Sequence, residues 1–119
     1  MKIELDFPPA DSFPNRSAGK HWGAVYATKS AYKEKCWWAT AAQAEPLHNP
    51  KTIKLTLTYM MPDGRHRDVD NLLAASKAGL DAMAQVLTVN DKIFEPITVH
   101  RVYKCKPAKI VIDLEVSYE

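Results

Sequence analysis

Cysteine is scarce in this chain of 119 residues: there are two, Cys36 and Cys105. They stand in no CxxC pair and at no Cys/His zinc spacing, and two cysteines make no disulfide scaffold. Both are expected to be reduced thiols in a cytoplasmic protein. Long hydrophobic runs are absent as well: nothing approaches the ~20 apolar residues of a membrane span. The opening Met1-Lys2-Ile3-Glu4 alternates charged and apolar side chains, unlike a signal peptide. There is no repeat, linker or low-complexity segment. Neither charge sign is in large excess, with 16 Lys+Arg against 14 Asp+Glu. What is present is ordinary: 46% apolar and 25% charged residues. That composition excludes disorder and suits one domain over residues 1–119 with a single core.

The distribution of charge says more than its total. Residues 15–35 hold Arg16, Lys20, Lys29, Lys33 and Lys35 against Glu34; residues 101–109 hold Arg101, Lys104, Lys106 and Lys109 and no acid. Such patches suit a polyanion, although solvated lysine faces are also common.

Hydrophobic periodicity outlines the elements. Residues 2–7 alternate and predict a short strand, stopped by Pro8-Pro9. Residues 8–25 read as a long loop. Residues 28–44 predict a helix capped by Thr28 or Ser30, with Tyr32, Cys36 and Ala39 or Thr40 at helical spacing. Residues 51–60 predict a strand with Ile53, Leu55, Leu57 and Tyr59 on one side. Pro62-Asp63-Gly64 is turn chemistry. Residues 69–87 predict a second helix, its stripe Val69, Leu72, Leu73, Leu80, Met83 and Leu87 weakened by Gly79. After a turn near Asn90-Asp91, residues 97–103 and 109–117 predict two strands, antiparallel to one another, joined by Lys104–Ala108. The order β-α-β-α-β-β predicts an α/β (α+β) domain: a mixed four-stranded sheet covered by two main helices.

The segment Met61–Asn71 carries the chemistry. Arg65, His66 and Arg67 run directly into Asp68 and Asp70, where the second helix starts. Acids at a helix start are expected simply as caps and dipole partners. With Asp68 still in the cap, however, both carboxylates can converge on one cation. A hard ion such as Mg²⁺ takes one or two carboxylates plus waters and phosphate oxygens. Asp91, in the loop after the same helix, is the natural third acid. Arg65 and Arg67 can hold a phosphate against such an ion, or pair with Asp63, Asp68 or Asp70 in a surface network. Lys77 shares the polar helix face with Asp70 and Asp81. It can reach N-terminally toward the acids or pair with Asp81. Together these are the parts of hydrolytic phosphoryl transfer.

Met61-Pro62-Asp63, the run Arg67-Asp68-Val69-Asp70-Asn71-Leu72, Lys77–Met83 and Asn90-Asp91 resemble the RusA family of Holliday-junction resolvases. Pro8-Pro9, Asn15 and Tyr26 through Tyr32 fit the family's opening, so the resemblance covers nearly the whole chain. It implies a Mg²⁺-dependent endonuclease, with Mn²⁺ able to substitute, that nicks four-way DNA junctions in symmetric pairs. It further implies a homodimer, often encoded by prophages, with no small-molecule cofactor and no membrane. The family's metal-binding acids match Asp68, Asp70 and Asp91, and its lysine best matches Lys77. That lysine usually stands four residues after the second Asp, where this chain has Ala74. Lys77 keeps the helix face but sits about 4.5 Å further along the axis. Gly64 and His66 stand where arginine is common in the family. DNA contacts are expected from Arg65, His66, Arg67, Asn15, Arg16, Lys20, Lys104 and Lys106. Trp22, Phe13 or Tyr26 can stack on an unpaired base or pack in the core. Trp37 and Trp38 are expected in helix packing or a dimer contact. The alternative reading is a non-cleaving junction- or ssDNA-binding protein of the same fold.

Overall fold

The computed structural model describes residues 1–14, 19 and 21–119. Strand β1 spans Lys2–Asp6, helix α1 Trp22–Gln43, β2 Thr52–Met60, α2 Val69–Leu87, β3 Phe94–Val102 and β4 Lys109–Ser117. Single 3-10 turns sit at Ala10–Ser12 and Asp91–Ile93. The β-α-β-α-β-β order is as the sequence predicts, and the sheet is mixed with strand order β1-β4-β2-β3.

Alternation places the sheet's apolar face. Ile3 and Leu5 of β1, Ile53, Leu55, Leu57 and Tyr59 of β2, and Ile110, Ile112 and Leu114 of β4 are all buried. The opposite face is polar; there Lys109 pairs with Glu4 at 2.7 Å. Among the described residues no helix is long and apolar enough to cross a membrane.

Helix α2 has the predicted bounds, but its buried face is built from small residues. Ala75, Ser76, Gly79 and Ala82 are buried with Leu72, Met83 and Leu87, while Val69 is exposed. The small residues let α1 approach closely. A Cβ on Gly79 would lie 2.9 Å from Cys36 Sγ and 3.0 Å from Tyr32 Cε2. Gly79 is therefore a contact point, and Tyr32, Cys36 and Thr40 are the buried residues of α1. Burial pushes the Cys36 thiol up to about 11.

Three expectations need correction. Helix α1 begins at Trp22 instead of residue 28, so neither Thr28 nor Ser30 caps it. Its cap is His21, whose Nδ1 accepts a hydrogen bond from the Gly23 N–H at 3.1 Å. Strand β3 begins at Phe94, three residues early, with one extra residue opposite β2 between Ile53 and Leu55; Pro96, which has no N–H to give a ladder, lies there. Finally, β3 and β4 run in opposite senses but are not neighbours. β3 pairs parallel to β2, and β4 lies on the other side of β2, antiparallel to it. The α2 crossover returns the chain parallel to β2, so residues 103–108 cross the end of β2 to reach its far edge.

Candidate functional site

Parallel strands joined through a helix place their carboxyl ends, and the loop that starts the helix, at one edge of the sheet. In open α/β sheets that edge is where ligands bind. Here the loop after β2 and the loop after β3 are joined there by backbone hydrogen bonds: Met61 N–H to Val102 O (2.8 Å), Cys105 N–H to Met61 O (2.8 Å) and Lys104 N–H to Asp63 O (3.0 Å). The basic run 65–67 is thereby set against Tyr103 and Lys104.

Arg67 is not a free phosphate clamp. Its guanidinium donates to both Asp63 oxygens, at 2.9 and 3.2 Å, and to Arg65 O at 3.3 Å. Its side chain is 12% exposed. It lies 5.5 Å from the Phe7 ring centre and 6.0 Å from that of Phe13, and the two rings stack on each other. The Arg67 guanidinium, helped by the Arg65 N–H, holds the Asp63 carboxyl down to about 2. Of the two pairings open to Arg67, the structure takes the one with Asp63. Arg65, by contrast, is exposed.

Asp68 sits in the N-cap position of α2 with extended backbone, and its side chain makes no capping bond. Its Oδ1 instead accepts from His66 Nε2 at 3.2 Å, and His66 Nδ1 lies 3.4 Å from Tyr103 Oη. Arg101, on β3, donates to Arg67 O at 2.9 Å and so pins the peptide just before Asp68. Asp70 follows in the first helical turn, exposed and favoured there by the helix dipole. Both carboxylates are thus presented to solvent, Asp68 beside His66. Lys104 lies on the same rim, its Cε 3.1 Å from where a Gly64 Cβ would be.

Lys77 does not point toward Asp70. Its ammonium meets Asp81 Oδ1 at 3.1 Å and lies 3.8 Å from Asp91 Oδ2. Asp81 is eleven residues past Asp70, about 16 Å along the axis, and Lys77 joins it and Asp91 instead of Asp70. Among the described residues, no three His, Cys, Asp or Glu side chains gather closely enough to hold a metal ion. The carboxylate donors suit a hard cation in kind, but one chain does not assemble all three.

Asn15, Arg16 and Lys20 lie outside the described residues, and Lys106 is exposed on the loop before β4. Trp22 and Tyr26 are exposed and stack on each other. Trp37 and Trp38 are also exposed, edge to face, so they do not fill this chain's core. What sequence reasoning missed is a cavity of about 470 Å³ beside Asp68, walled by Phe7, Pro8, Phe13 and Arg67 with Asn71 at its edge. The cavity joins two distant segments, residues 7–13 and 62–71, and no local spacing announces it.

A family model described as Endodeoxyribonuclease RusA matches residues 7–115. No curated protein matches the chain.

Proposed function

The chain belongs to the RusA endodeoxyribonuclease family, and from that premise we propose that it resolves four-way DNA junctions by paired, symmetric nicks in recombination and repair in the cytoplasm. The observation that carries this reading is the pair of solvent-facing carboxylates, Asp68 and Asp70, set among Arg65, His66 and Lys104 at the carboxyl ends of β2 and β3.

Asp68, Asp70 and Asp91 are the residues that would hold Mg²⁺, or Mn²⁺ in its place; such an ion would supply Lewis-acid activation of the scissile phosphate and of water. The chain's own residues do the rest. Arg65 and Lys104 hold the DNA backbone across the acids, and Arg101 and His66 orient the Asp68 peptide and side chain. Because the three acids do not gather within one chain, the reading calls for a two-fold homodimer, in which the partner's Asp91 can complete the set. The dimer also suits a junction of near two-fold symmetry that needs two matched cuts.

The test is cleavage of a synthetic four-way junction with Mg²⁺ and with EDTA, beside a gel shift without metal. Wild type should give metal-dependent paired nicks. Asp70→Asn should bind normally and lose about 10²–10³-fold in rate, the scale of removing one electrostatic group from such a site. Asp68→Asn and Asp91→Asn proteins, each inactive alone, should regain part of the activity when mixed if the acids come from two chains. One observation favours a second reading, a non-cleaving junction- or ssDNA-binding protein: Lys77 is turned away from Asp70 toward Asp81 and Asp91. Tight junction binding with no nicking by wild type would select it.

A further inference from the structure

The cavity beside Asp68 has a chemistry of its own. Two stacked phenyl rings, Phe7 and Phe13, form an aromatic wall with centroids 6.0 Å apart. Pro8 adds apolar surface, and the Arg67 guanidinium lies against both rings, held from behind by Asp63. The wall is therefore rigid before any ligand arrives, which limits the ordering cost of binding. The edge of the cavity carries the Asn71 amide, which makes no hydrogen bond among the described residues and offers two donors and one acceptor. Asp68, His66 and Arg65 complete the lining.

These features select an occupant. A volume of about 470 Å³ lies in the range of small-molecule pockets. Aromatic faces and a guanidinium plane suit a flat ring system. A free amide suits an edge with mixed donors and acceptors, the pattern that asparagine reads on a base. Arg65 and His66 line the cavity beside Asp68, so the phosphate attached to such a base has a cationic partner there. We propose that this cavity takes a single unstacked nucleobase, and that seating it lays the adjoining phosphate against Arg65, beside Asp68. This rests on the endonuclease reading and deepens it. A paired base must be pulled from its stack to enter, whereas an unpaired base at a branch point enters cheaply. The cavity thus favours branched DNA over plain duplex, and Asn71 sets which base is preferred.

The full chain, isotope-labelled, can be titrated by NMR with each of the four deoxynucleoside 5′-monophosphates and with deoxyribose 5-phosphate. Saturable shifts of the Phe7 and Phe13 rings and the Asn71 side-chain amide are expected with nucleotides and not with the sugar phosphate. Asn71→Ala, a change at the cavity edge, should weaken binding by about tenfold and level the differences among bases. Phe13→Leu keeps the apolar volume and should abolish the ring-dependent part. Silence at all three residues, or equal shifts with deoxyribose 5-phosphate, would overturn the proposal. Junction cleavage measured alongside separates the two readings. Nucleotide binding here without nicking sinks the endonuclease reading and keeps the pocket; nicking with these resonances silent does the reverse.

Discussion

At the scale of residues, one ion pair decides what Arg67 does. Sequence alone allowed it to hold phosphate or to pair with a neighbouring acid, since Asp63, Asp68 and Asp70 all lie within four residues of it. Folding put Phe7 and Phe13 against it, and a nearly buried guanidinium needs a fixed counter-ion. The depressed Asp63 value has a pH consequence. The pair's contribution is complete above the ordinary carboxylate value of 3.8 and is lost as pH falls toward about 2. Titration of the Asp63 carboxyl by NMR should therefore show a midpoint near about 2, returning to the usual range in Arg67→Ala. Above about pH 5, clear of the ordinary carboxylate range, the Arg67–Asp63 pair should not change. The cysteines differ in the same local way. Cys36 is buried with a raised pKa, and Cys105 is partly exposed. Alkylation of native protein at mildly alkaline pH should label Cys105 and spare Cys36, and denaturant should expose both.

At the scale of elements, α2 was the most legible part of the chain. Asp68 and Asp70 mark its start, and the leucine spacing runs to its end at Leu87. The meaning of Gly79 was not legible, because a glycine in a helix looks like a weak point until its neighbour is known. Alanine there would gain about 1 kcal/mol of helix propensity. Its methyl would nevertheless press on a buried thiol and ring, and overpacking of that kind costs about 1–3 kcal/mol. Gly79→Ala should lower the urea midpoint, and adding Cys36→Ala should restore part of it. The start of α1 was missed for the opposite reason. Histidine is not among the favoured caps, and Gly23 reads as a loop residue, yet the His21 ring folds back onto the Gly23 N–H.

At the scale of the whole molecule, the basic rim matters more than the total charge. Arg65, Lys104 and Lys106 come from the loops after β2 and β3, which meet only because those strands are parallel neighbours. Counter-ion release makes junction affinity fall with salt in proportion to the phosphates contacted. The Lys104→Ala/Lys106→Ala double variant should weaken binding to all junction sequences alike. It should also reduce the slope of log K against log salt by about 2. A slope unchanged from wild type would move the DNA path off this rim.

The sequence by itself determined the periodicities, and with them the element order, the apolar face of β2, the bounds of α2 and the placing of two acids at its start. These are local properties, carried by residues a few positions apart. It also carried the family, through the run from Arg67 to Leu72 and its distant companions. Only the tertiary structure decided the rest. It put β4 between β1 and β2, turned Arg67 into a wall, aimed Lys77 at Asp81 and Asp91, and held Asp91 apart from Asp68. It also closed a cavity from Phe7, Phe13 and Asn71. Each of those outcomes depends on which remote segments meet, and that is settled by burial and strand pairing over the whole chain rather than by spacing within one stretch.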